Sequence, residues 1–249
     1  GIASLFGIKL TLQGYAGANY ITPLVFMIVL GTVLLNAATA RIVARITGVL
    51  LKKSEGILIV GSSEPSRLIA KYLKDNDRRV VLIDSNKSNI SRAKLEGLEA
   101  IECDIYENDL LENIELNDMG YLLALTGSNT INEYALNKFK ADFGEEGAFR
   151  LISPEEMRDS ENNPEQGLFS HSDDFINISE VVRDYPMINE VEVKSREHFE
   201  ELIDATHKEI KAIPLFLKDL KDEIHILPAD SSKMEVGPGY KMMYLGKKI

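Results

Sequence analysis

Glu55-Gly-Ile-Leu-Ile-Val60, Gly61-Ser-Ser-Glu-Pro-Ser66, Arg67 to Asp75, Val80-Val-Leu-Ile-Asp84 and Ala100-Ile-Glu-Cys-Asp104 decide how this chain folds. Ile57 to Val60 is a short aliphatic run between glycines, as in a strand buried on both faces. Pro65 stands where a first helical turn tolerates it, because the missing N–H is an orphan there anyway. Leu68, Ile69, Tyr72 and Leu73 follow at helical spacing. Asp84 ends the second strand, 23 positions after Gly61. Strand, turn, helix, strand and acid in that order make a nucleotide-binding βαβ unit.

The glycine fingerprint is reduced. A full G-x-G-x-x-G lets the backbone turn, approach a pyrophosphate and pack helix on strand. Here Gly61 is kept, while Ser63 and Ser66 hold the second and third places. A Cβ at Ser63 crowds a pyrophosphate, whereas serine hydroxyls and helix N–H groups bind phosphate.

Further elements alternate along the chain. Ser85 to Leu95 reads as a helix stopped by Gly97, and Ala100 to Asp104 as a third strand. Glu107 to Asn113 reads as a short acidic helix or loop. Tyr121 to Leu125 is a fourth strand, Asn129 to Phe143 a helix ended by Gly144, and Ala148 to Ile152 a fifth strand. This alternation predicts an α/β fold, a doubly wound parallel sheet with right-handed crossovers. Ligands of such sheets sit beyond the carboxyl ends of the strands. The candidate cofactor-binding residues are therefore Gly61, Ser62, Ser63, Ser66, Asp84, Asp104, Thr126 and Gly127. Asp84 is placed to accept two ribose hydroxyls and to repel a 2′-phosphate. It also suits a turn start, with Ser85 and Asn86 beside it.

The charge is uneven. Residues 1–53 carry Lys9, Arg41, Arg45, Lys52 and Lys53 and no acid, so the remainder carries −16 against −11 for the whole chain. An acidic body argues against nucleic acid as a partner. The single cysteine, Cys103, excludes an internal disulfide, fits a reducing compartment and reads as a small core side chain on strand three. No cysteine–histidine spacing predicts zinc. His171-Ser-Asp-Asp174 reads as a solvated loop rather than a metal site.

No charge occurs between Lys9 and Arg41. Ile21 to Ala40 is apolar on every face, and about 20 helical residues span a ~30 Å hydrocarbon core. Gly31, Ala38, Thr39 and Ala40 leave room for a neighbouring helix, and Asn36 for a bond between helices. Gly1 to Ile8 reads as the tail of a preceding span, and Lys9 to Tyr20 as the loop between them. The basic flank from Arg41 to Lys53 places everything after about residue 53 in the cytoplasm.

Beyond the sheet, Ser153 to Asp174 is rich in Ser, Asn, Pro, Gly and acids and reads as a linker, 154–174. Glu190 to Lys194, Ala212 to Leu217, Glu223 to Leu227 and Tyr240 to Leu245 read as strands, and His198 to Lys208 as a helix. They predict a small α+β module over 175–249. His198, His207 and His225 are scattered among these elements.

Two stretches carry a family resemblance. Residues 21–53 resemble the last membrane helix of bacterial monovalent cation:proton antiporters of the sodium/proton type. G-S-S-E-P-S, Asp84, Asp104 and L-A-L-T-G-S-N-T-I-N-E resemble the loop, acids and fourth strand of a TrkA-N or RCK-type (regulator of potassium conductance) Rossmann domain. The likeness covers residues 1 to about 153, with domains at 1–53, 54–153 and, beyond the linker, 175–249. It implies a multi-pass inner-membrane protein exchanging sodium or potassium for protons. It implies upstream helices of the same protein carrying the ion-site carboxylates, the lipid bilayer as partner, and a homodimer. It further implies a regulatory domain that is not an enzyme, with NAD(H) or an adenine nucleotide as ligand. A potassium channel or potassium-uptake system uses the same domain type and is the alternative. A membrane-tethered NAD-dependent oxidoreductase needs an acid or base beside the nicotinamide, and all four histidines lie outside the nucleotide-like unit.

Overall fold

The computed structural model describes residues 2–46, 56–107, 119–143, 147–158, 164, 166–169, 174–208 and 211–249. The readings placed on Lys52 and Lys53, on 108–113, on Gly144 and on 171–173 lie outside them. The chain forms two compact units, Gly1–Lys52 and Lys53–Ile249.

The first unit holds α1 (Ile2–Leu12), a 3-10 turn (Ala18–Tyr20) and α2 (Ile21–Ile46). The expected loop from Lys9 is shorter, because α1 runs on to Leu12. Gly14 and Gly17 take φ of +79° and +82°. This left-handed backbone, which side chains disfavour, reverses the chain. The two helices meet at Gly7, where a Cβ would lie 2.9 Å from Ile21 Cγ2. Over Ala18–Ala40, α2 is long and apolar enough to cross a membrane. Leu24, Phe26, Ile28, Leu30, Leu34 and Leu35 stand exposed on it. Thr32 and Thr39 bond back to their own helix, to Val29 O at 2.9 Å and Leu35 O at 2.7 Å, while Thr22 donates to Ser4 O of α1 at 3.4 Å. Polar groups that lack water must find such partners.

The second unit is built on a parallel sheet in the order β3-β2-β1-β4-β5-β6. Its strands are β1 (Gly56–Val60), β2 (Val80–Asp84), β3 (Glu99–Glu102), β4 (Met119–Ala124), β5 (Ala148–Leu151) and β6 (Gly167–Leu168). The helices α3 (Glu64–Asp75), α4 (Lys87–Leu95) and α5 (Asn129–Phe143) connect them. Alternate residues of β1 feed opposite faces. Ile57 and Ile59 pack with Ile69, Leu73 and Ile90, while Leu58 and Val60 pack with Ala135, Leu136 and Phe139. Helices thus cover both faces, as the doubly wound reading requires.

The stretch 154–174 is not a plain linker. Gly167–Leu168 pairs with β5, matching Arg150 to Gly167 and Leu151 to Leu168. Leu168 and Phe169 are buried. A Cβ on Gly167 would stand 2.9 Å from Ile152 Cγ2, so only glycine enters there. An unanticipated helix follows, α6 (Phe175–Asp184), whose Asp174 cap accepts from the Asn177 N–H at 2.9 Å. It buries Ile178, Val181 and Val182.

A second, antiparallel sheet runs β7-β10-β8-β9. It comprises β7 (Ile188–Glu192), β8 (Ala212–Lys218), β9 (Ile224–Ile226) and β10 (Lys241–Gly246), with α7 (Arg196–Lys208) beside it. Its core is continuous with that of the first sheet, since Phe216 and Met243 join the cluster containing Ile69 and Leu73. Tyr72 of α3 stacks on Phe216 and donates to Glu190 Oε1 at 2.9 Å. Burial, then the Glu190 carboxylate, raises the Tyr72 pKa and keeps the phenol protonated.

Two local constraints generate tests. Gly61 has φ +98°, and a Cβ there would lie 3.0 Å from both Leu125 O and Thr126 Cγ2. Gly61→Ala should lower stability by about 1–3 kcal/mol through backbone strain alone, read as a fall in the urea midpoint. At the end of β5, Arg150 donates to Glu156 Oε2 at 2.8 Å. Glu156 also accepts from the Ser153 N–H at 2.8 Å while Ser153 Oγ accepts from the Glu156 N–H at 3.2 Å, a reciprocal capping box. The Arg150 bond holds the Glu156 pKa at about 2, below its ordinary 4.5. A carboxyl depressed on folding stabilises above its unfolded pKa and loses that contribution as pH falls through the folded one. Urea unfolding should therefore show a loss between about pH 4.5 and pH 2 that Glu156→Gln abolishes. At neutral pH that variant should cost about 3 kcal/mol, because Arg150 stays buried without its partner.

Candidate functional site

The carboxyl ends of β1 to β4 surround a cleft of about 300 Å³. It opens where the strand order reverses between β1 and β4, the point at which such sheets take ligands. Gly61, Ser63, Asp84, Asp104, Thr126 and Gly127 line it. Six of the eight expected residues thus converge. Ser62 and Ser66 do not: both are fully buried and support the loop from beneath.

That support is a chain of hydrogen bonds. The Gly61 N–H donates to Ile83 O at 2.8 Å. The Ser62 N–H donates to Asp84 Oδ2 at 2.8 Å, and Arg67 Nη1 donates to the Ser62 carbonyl at 2.8 Å. Arg67 is itself held by Glu96 Oε1 at 2.9 Å. Ser63 caps α3, accepting from the Ser66 N–H at 3.5 Å, with the two hydroxyls 2.9 Å apart.

Asp84 is engaged by the protein's own donors. It does start the turn: Oδ1 accepts from the Asn86 N–H at 2.8 Å, and Oδ2 also from Asn89 Nδ2 at 3.0 Å. With Ser62 that makes three donors on a carboxylate with about four acceptor positions. Room is left for one hydroxyl, not for the bidentate pair. Asp104 is exposed at the rim and accepts from the Tyr106 N–H at 3.0 Å. Thr126 spends its polar groups on its own turn. Its N–H donates to Asn132 Oδ1 at 3.0 Å, its Oγ1 lies 2.7 Å from the same oxygen, and its carbonyl accepts from Asn132 Nδ2 at 3.0 Å. Buried Asn132 therefore shapes the β4–α5 turn.

Several lining residues were not singled out from the sequence: Asn89, Ile105, Tyr106, Ile131 and Phe175. Phe175 comes from α6, about 50 residues beyond β4 in sequence. It lies over Gly127, where a Cβ would stand 3.0 Å from its Cδ1. Nothing local in the sequence announces that approach. Lys138 of α5 anchors the far wall by donating to Ile105 O at 2.8 Å and Glu107 O at 2.6 Å. Cys103 lies just past β3 and is half-buried on the cleft wall, not a core side chain within the strand. Burial, then Glu107 and Asp104, raises its pKa and holds it as a thiol.

The cleft combines apolar walls with hydrogen-bond acceptors. Val60, Ile83, Ile105, Tyr106, Leu125 and Phe175 supply apolar walls, and Asp84 and Asp104 supply acceptors for hydroxyls. The diphosphate of NAD fits poorly. Among the described residues no lysine or arginine lines the cleft, and most of the loop that would cradle phosphates is engaged with the protein's own groups. Elsewhere, Asp219, Glu223 and His225 bring ligand atoms within 4.8 Å of one another at the β8–β9 turn. Asp219 there already accepts from the Lys221 and Glu223 amides, at 2.8 and 2.9 Å.

Comparisons follow from this geometry. No curated protein matches the chain. Among solved structures, the GsuK RCK domain is 11% identical over 78% of this chain and 44% of its own, with a TM-score of 0.41. The GsuK channel bound to NAD is 12% identical over 97% of this chain and 50% of its own, with a TM-score of 0.39. The TrkA-N domain of the inner membrane protein ybaL from Escherichia coli is 17% identical over 41% of this chain and 88% of its own, with a TM-score of 0.31. The chain thus spans less than half the length of the GsuK RCK-domain chain. Residues 57–153, which carry β1 to β5 and the cleft lining other than Phe175, match the family model of the TrkA-N domain.

Proposed function

We propose that residues 56–249 form the cytoplasmic regulatory region of a membrane cation:proton antiporter and sense an adenosine-bearing ligand. The cleft at the carboxyl ends of β1 to β4, within a stretch matching the TrkA-N domain, carries this reading. The bare apolar helix α2 supports the membrane part, because a contiguous apolar surface of that size needs a cover. In this reading α2 crosses the inner membrane beside further helices of the same protein, two chains associate, and the domain binds without catalysing.

Regulation then follows from differential affinity. A ligand shifts the transporter only as far as it binds one domain arrangement better than the other. Phe175 is suited to report occupancy, since it lines the cleft and belongs to α6. The bias would pass to the membrane through the segment Arg41 to Ser54.

Cys103 provides the measurement. As the one cysteine of the chain and a cleft-lining thiol, it should be alkylated slowly at neutral pH. Adenosine-bearing ligands added to the detergent-solubilised chain should slow it further. If adenosine, AMP, ADP, ATP and NADH all leave the rate unchanged up to about 1 mM, a weak limit for a physiological ligand, ligand sensing is wrong. Protease added to inside-out membrane vesicles should remove the carboxyl-terminal region. Removal only from right-side-out vesicles would place it outside the cell and end the topological part.

A further inference from the structure

We infer that the cleft selects the nucleoside and rejects its phosphates: the β1–α3 loop has been turned from an anion cradle into a self-capped turn. This rests on the ligand-sensing reading and narrows it. A phosphate-binding loop works because backbone N–H groups and a helix N-terminus face an anion with nothing else to bind. Here four of the six N–H groups from Gly61 to Arg67 are already bonded. The Gly61 N–H goes to Ile83 O and the Ser62 N–H to Asp84. Pro65 has no N–H, the Ser66 N–H faces Ser63 Oγ, and the Arg67 N–H goes to Ser63 O at 2.9 Å. Only the Ser63 and Glu64 amides lie outside these bonds.

The electrostatics run the same way. Ser63 Oγ holds the capping position a phosphate oxygen would take, and Glu64 puts a carboxylate into the first turn of α3. Both satisfy the partial positive charge of the helix end. Asp84 and Asp104 add two acids to the lining. The nearest cation to the loop, Arg67, is buried and turned to the Ser62 carbonyl and Glu96. A diphosphate would enter a negative field with two donors left to receive it. A neutral nucleoside meets none of that opposition. It keeps the apolar walls, the remaining acceptor position on Asp84 and the carboxylate of Asp104. The ligand class is a purine-type nucleoside, or a derivative whose charged part points away from the loop.

Calorimetric titration of the full chain in detergent with adenosine, AMP, ADP and NADH tests this. Adenosine should bind, and affinity should stay flat or fall as phosphates are added. ADP or NADH binding about tenfold or more tighter than adenosine overturns the inference while leaving ligand sensing intact. No binding by any of the four overturns both. A reversal variant, Glu64→Arg, at a first-turn residue of α3 outside the cleft lining, replaces the carboxylate there with a charge-assisted donor. It should raise ADP affinity by about tenfold or more with adenosine unchanged, and the unchanged adenosine affinity reports that the variant is folded. Adenosine retained without any gain for ADP would show that the loop does not set the selectivity, and would overturn the inference.

Discussion

The hydrogen bond from the Ser62 N–H to the Asp84 carboxylate, 2.8 Å long, joins the turn after β1 to the end of β2, and the cleft depends on it. Bonds to an ionised acceptor are shorter and stronger than neutral ones, about 1.5–3 kcal/mol net. The same peptide is gripped on its other side, where Arg67 takes the Ser62 carbonyl. One peptide plane held by an acid in front and a cation behind leaves the loop a single conformation. Gly61 supplies the left-handed backbone that lets the plane lie there. The arrangement also explains why a serine loop persists in place of glycines. Ser62 and Ser66 are buried members of the turn, and Ser63 is its cap.

The second sheet is part of the same body. Tyr72 and Phe216 stack across the two halves, and the aliphatic core runs unbroken from Ile69 and Leu73 to Met243 and Leu245. The binding cleft takes Phe175 from the chain beyond the first sheet. A ligand in the cleft therefore touches an element, α6, whose buried face also belongs to the core beneath the second sheet. Movement at Phe175 and movement of that helix are mechanically one event, because packed interiors shift as units rather than deform atom by atom.

The charge pattern of the cleft deserves the same physical reading as its shape. A fold of this type announces a nucleotide through strand order and the acid after β2. Its phosphate capacity is a separate property, set by which amides are still unbonded and which charges face them. In this chain the strand order is kept while most of the loop's amides are bonded within the protein. Fold and ligand class are therefore separable, as expected when function resides in a site carried on a scaffold.

Short-range physics was readable from residues alone. The β-branched and aliphatic runs at 57–60 and 80–83, the helical spacing of Ile69 and Leu73, and Gly97 as a helix stop all act within one turn or strand. These suffice for the doubly wound sheet. They also suffice for the charge-free stretch Ile21 to Ala40 of α2, whose apolarity on every face is a property of composition. They place Gly61, Asp84, Asp104 and Gly127 at strand ends, hence near one another. The capping box at Ser153 and Glu156 emerged only with the structure, because the surrounding polar composition reads as linker. Only the tertiary structure decided the rest. Gly167–Leu168 is too short to show periodicity and becomes a strand because β5 offers an open edge. Phe175 reaches Gly127, and Arg67 reaches Ser62 and Glu96, through packing distant in sequence. Whether a carboxylate at position 84 still has a free lone pair is a question of partners in space, and no local pattern of residues records the answer.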